Sequence, residues 1–98
     1  MAISKTLSQA EQVAESCGII LGAASHCEQV SEERLNSAAD KVRDFVTASA
    51  KDATEVGAAN ARFDAAIDAG KHAAELGQVN LDAAENALVE IEEQLTRY

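Results

Sequence analysis

Ninety-eight residues with 8 Lys plus Arg, 17 Asp plus Glu, no Pro, no Trp and 3 % aromatic residues allow one small domain or one protomer of an assembly. Apolar residues make up 47 % of the chain, yet 21 of them are Ala, so the large aliphatic side chains are too few for a generous core and suit closely packed helices instead. A net charge of −9 with no cluster of Lys or Arg disfavours binding to nucleic-acid phosphates and to anionic lipid headgroups.

In chain order, Ile3, Leu7, Ala10, Ala14, Cys17, Leu21 and Ala24 follow an alternating four- and three-residue step. That spacing predicts a helix over about residues 3–27 with a narrow apolar seam, started by a cap at Ser4 or Ser8. The apolar stretch from Gly18 to Ala24 is too short to span a bilayer. Glu11 and Glu15 ahead of it carry the wrong charge for a secretion signal, so the expectation is a cytoplasmic protein with no membrane insertion. Cys17 and Cys27 have no framework spacing and would lie about 15 Å apart on one straight helix, so free thiols are expected.

A turn is expected over about residues 25–31, where the pattern becomes polar. Ser31, followed by the acids Glu32 and Glu33, reads as a helix N-cap, with Val30 and Leu35 placed to staple the entry. From Leu35 to Tyr98 the three–four alternation continues without a slip. Breaks are allowed near Gly57 and Gly77, with Asn80 placed to cap a last helix. Because the phase survives both glycines, the sequence favours one long helix over about 31–97, or a helical hairpin broken near Gly57, above a regular four-helix bundle. The fold class expected is all-α, with long helices in heptad, coiled-coil-like packing, arranged as a hairpin or a small bundle in a single domain.

Two kinds of seam position stand out. Gly70, Ala74 and Gly77 are small enough to let a neighbouring helix approach closely, and Gly is otherwise unfavourable inside a helix by about 1 kcal/mol. Ser49 and Asn60 are polar, a device that fixes register or oligomer state in coiled coils.

Chemistry-bearing patterns are sparse. His26 adjoins Cys27, and Asp68, His72 and Glu75 share a helix face, but no ligand spacing typical of zinc occurs. The paired acids Glu32/Glu33 and Glu92/Glu93 read as solvated faces, because acid–base chemistry needs a carboxylate in an apolar cleft. No phosphate loop, nucleophile elbow or dinucleotide fingerprint is present. No catalytic residue, cofactor or metal is therefore expected.

Interaction remains. Leu81, Leu88, Ile91, Leu95 and Tyr98 carry the bulkiest seam side chains, flanked by Asp82, Glu85, Glu90, Glu92 and Glu93. The sequence thus predicts a non-catalytic structural or adaptor protein that acts through this seam, on a protein partner or on a second copy of itself. One alternative is a small acidic inhibitor or charge mimic that occupies a basic groove, including one evolved for nucleic acid. Another is an amphipathic coat on a hydrophobic surface, for which the seam is narrow and its flanks are acidic rather than basic. The remaining alternative for the last segment is that it folds back onto residues 3–24 of its own chain.

Overall fold

The structure, a computed structural model, describes residues 9–95; the expected cap at Ser4 or Ser8 and the seam positions Ile3, Leu7 and Tyr98 lie outside them. The described residues are all-α, with four helices: α1 (Gln9–Ala24), α2 (Glu32–Ser49), α3 (Ala53–Glu75) and α4 (Leu81–Leu95).

Each boundary has a local cause. Beyond α1, the Ser25 amide donates to the Leu21 carbonyl and the Ser25 hydroxyl to the Gly22 carbonyl, so the last turn is closed off. His26 and Cys27 then make three-residue turns onto Ala23 and Ala24, and α1 stops there rather than at Cys27. Ser31 caps α2 as its sequence suggests: its backbone is extended and its side chain accepts from the Arg34 amide at 3.1 Å. Val30 and Leu35 both join the core on either side of that cap.

The expected long helix over 31–97 is not formed. It breaks at residues 50–52, seven residues before Gly57. Ala50 turns extended, and Asp52 starts α3 by accepting from the Glu55 amide at 2.8 Å. Glu55 returns the contact, its carboxylate accepting from the Lys51 amide at 2.7 Å. An Asp followed three residues later by Glu is a capping pair, and it outweighs the unbroken seam phase. The polar seam position Ser49 and its neighbour Ala53 fall at this corner and are exposed. Gly57 lies inside α3 with nothing near its missing side chain.

The break at Gly77 is present. With φ +71°, Gly77 donates to the Ala74 carbonyl while the Gln78 amide reaches the Ala73 carbonyl, a pair of bonds that ends a helix through a left-handed residue. Asn80 then caps α4, its side chain accepting from the Ala83 amide at 3.1 Å.

The helices assemble around α1, which touches each of the other three and most extensively α3; α3 and α4 barely meet. The α1–α3 contact runs backbone to backbone. A methyl at Gly18 would sit 2.6 Å from the Phe63 carbonyl oxygen, and methyls at Gly22 and Gly70 would strike the carbonyls of Ile67 and Ile19. Gly18 and Gly22 on α1 face Ala66 and Gly70 on α3, so the two helices run parallel and mesh at four-residue spacing rather than through a seven-residue repeat. The close crossing expected at Gly70 is therefore formed within the chain. Gly77 takes no part in it, being the exposed end of α3, and Ala74 is half-buried between the two.

Phe63, Leu88, Val42 and Val46 are the largest fully buried side chains. Within the described residues every position of the first seam, from Ala10 to Ala24, is buried, as are Val42, Val46, Phe63, Leu88, Ile91 and Leu95 of the second.

Candidate interaction surface

Leu88, Ile91 and Leu95, expected as a docking face, are buried in the chain's own core, between 0 and 9 % exposed. The cause is topological: α4 starts beside Cys27, whose thiol donates to the Leu81 carbonyl at 3.4 Å, and returns antiparallel along α1. Folding back onto residues 9–24 is thus the arrangement formed. Leu81 at the head of α4 stays 38 % exposed.

The acidic flank divides into three parts. Asp82 and Glu85 border a cavity with His26, Cys27 and Glu28 at the end of the bundle where α1 ends and α4 begins. Burial, then the charges of Glu85 and Asp82, push the Cys27 thiol above its ordinary value. Glu92 turns inward and pairs with Arg34 of α2, both oxygens within 3.1 Å of the guanidinium. This bidentate hydrogen bonding holds the Glu92 carboxyl below the usual carboxylate range, so Glu92 clamps α4 to α2 instead of facing a partner. Glu90 and Glu93 remain exposed.

Where α4 crosses α1 and α2, the packing leaves an open groove of about 320 Å³. Val13, Cys17 and Ile20 of α1, Phe45 of α2 and Ala87, Ile91 and Leu95 of α4 form its apolar lining. Gln9, Gln94 and Glu90 complete it, and Glu90 is the one charged group among the described lining residues. Val13, Ile20 and Ala87 are half-buried, so the lining is reachable from solvent. The groove joins three of the residues expected from sequence, Glu90, Ile91 and Leu95, to four apolar ones that the seam pattern missed, Val13, Ile20, Phe45 and Ala87. Val13 and Ile20 sit seven residues apart beside the α1 seam, a spacing that could have marked a second, wider apolar face.

Two further arginines pair within the chain. Arg62 of α3 bridges Glu11 and Glu15 of α1 at 2.9 and 3.3 Å, and Arg43 of α2 lies 5.3 Å from the Phe63 ring centre. The polar seam residue Asn60 is half-buried and leaves its side-chain oxygen without a hydrogen bond. Both cysteines are free and buried, and burial drives the Cys17 thiol up to about 11. Among the described residues no three metal-ligating side chains gather, and no helix is long and apolar enough to cross a membrane.

No family model, curated protein or solved structure matches the chain.

Proposed function

We propose that the protein is a non-catalytic interaction protein that receives a cationic amphipathic helix of a partner protein in the groove between α1, α2 and α4. The observation that carries this reading is the composition of the groove: an apolar floor with Glu90 as the one charged group among its described residues, on a chain of net charge −9. An apolar floor accepts the side chains of one helical face, and the surrounding field draws in lysines or arginines that flank them. An anionic ligand would meet no cation among the described lining residues. The thiol in the floor supports binding rather than chemistry, since a Cys17 pushed up to about 11 stays protonated at neutral pH.

The test is a titration of the labelled protein with a Lys-flanked amphipathic helical peptide, followed by amide and methyl NMR. Shifts at Val13, Ile20, Ala87 and Ile91, weakened by Glu90→Gln and by added salt, are the expected result. Equal binding of a Glu-flanked peptide, or shifts confined to other faces, would refute the reading.

Self-association, the second reading, has its own support in the seam phase that persists from α3 into α4. It takes a specific form.

A further inference from the structure

We propose that α4 exchanges between two copies of the chain, giving a domain-swapped dimer in which α3 and α4 join as one continuous helix. Three observations converge on this. First, α4 packs on α1 and α2 and barely touches α3, so its binding site is complete without the helix that precedes it. Second, the connection is short, residues 76–80, and its turn rests on Gly77, the one left-handed residue among those described, with nothing within 4 Å of its missing side chain. No Pro interrupts residues 53–95, and the three–four seam runs Gly70, Ala74, Gly77, Leu81, Ala84 across the joint in phase. Third, Leu76 and Leu81 at the joint are 58 % and 38 % exposed, apolar surface that the closed monomer leaves uncovered.

The directions of the helices make the exchange feasible. Helix α3 ends where α1 ends and α4 begins, so straightening the joint sends α4 onward beyond that end of the bundle. A second copy, inverted by a two-fold axis at the joint, presents its own α4 site in the direction required, antiparallel to its α1. All contacts of α4 are then remade with the other chain, and only the hinge differs between the two forms. Each groove becomes composite, with Val13, Cys17, Ile20 and Phe45 from one chain and Ala87, Ile91 and Leu95 from the other. The two ends that meet carry Glu28, Asp82 and Glu85, so salt favours the dimer by screening them.

Gly77→Ala is the direct test. Alanine is strained at φ +71° in the closed form and favourable in a continuous helix. With two hinges per dimer, the dissociation constant falls by about a thousandfold, read by light scattering across a concentration series. Adding Val79→Pro, which bars a continuous helix, returns the protein to monomer. A Gly77→Ala protein that stays monomeric at every concentration overturns the proposal.

A second experiment keeps the native hinge and reports which chain holds α4. Cys27 and Leu81 line the same cavity, so Leu81→Cys puts a thiol beside Cys27. One chain carries Cys27→Ala with Leu81→Cys and the other retains Cys27 alone, both in a Cys17→Ala background. The two are refolded together from urea at high concentration and oxidised. A disulfide between the chains is expected, increasing with ionic strength. Its absence, or dimers that form without it, refutes the exchange while leaving the groove reading to its own titration.

Discussion

Replacing glycine by alanine has opposite consequences at two helical positions of this chain, and the difference measures how closely α1 and α3 approach. At Gly57, in α3, nothing lies within 4 Å of the added methyl, and the site is exposed. Only helix propensity acts there, and Gly57→Ala stabilises by about 1 kcal/mol. At Gly22, in α1, the same methyl runs into the Ile67 carbonyl and lies 2.8 Å from the Lys71 amide nitrogen. Both are backbone atoms and cannot swing aside. To restore ordinary contact, α1 and α3 must separate by on the order of 1 Å, which loosens a helix that all the others pack against. Overpacking of this kind costs about 1–3 kcal/mol, with the upper end fitting a backbone neighbour on a central helix. After the propensity gain, Gly22→Ala is expected to destabilise by about 2 kcal/mol. The two variants should therefore differ by about 3 kcal/mol, or some 2–3 M in urea midpoint for a chain of this size. Urea titrations followed by far-ultraviolet circular dichroism give both midpoints. A Gly22→Ala midpoint at or above that of the unsubstituted protein would refute the close approach of α1 and α3.

Three further outcomes follow from individual contacts. Asp52→Ala removes the cap of α3 and should lower stability by about 1 kcal/mol, whereas Asp52→Asn should retain most of it; matched thermal melts compare them. The folded-state value of Glu92 is depressed by Arg34, so its contribution is complete above the ordinary carboxyl value of 4.5 and fades as pH falls toward the folded value. Glu92→Gln should therefore lose about 1 kcal/mol at pH 7 and show a shallower decline in acid, and a parallel pH profile for both proteins would refute the clamp. With its thiol at about 11, Cys17 carries on the order of 100-fold less thiolate at pH 8 than a thiol at the ordinary 9.0, and iodoacetamide labelling followed by mass spectrometry should show that lag disappear on unfolding.

Much of the fold is legible where a residue acts on its immediate neighbours. Ser31 and Asn80 are oxygen-bearing side chains at sites where apolar spacing restarts, and both cap the helices expected of them. The seam of α1 is legible too, because a helix packed on several sides buries its periodic face whatever its partners are. Asp52 escaped for the opposite reason. The stretch from Val46 to Val56 keeps the three–four phase through a corner, so periodicity masked a turn that Asp52 and Glu55 encode. Periodicity records which face of a helix is apolar; it does not record whether the axis changes direction. The docking face on α4 shows the same limit, since Leu88 and Ile91 are equally suited to a foreign helix and to α1. Gly18 and Gly22 were legible only as part of a short apolar stretch, because their purpose depends on Ala66 and Gly70 more than forty residues away. The groove depends on three helices meeting, and none of its walls identifies itself alone.

The position of α1 among its neighbours decides how the molecule comes apart. Each of the other helices rests on it, while α3 and α4 scarcely support one another. Without α1, residues 32–95 retain only the modest contacts that α2 makes with α3 and α4, too little to form an independent domain. Of the four helices α1 is made before the partners it needs, and its glycine face stays uncovered until α3 has been made. No pair of the later helices offers a platform on which to build stepwise, so the core forms cooperatively once α3 is available to α1, and α4 is added to a surface already in place.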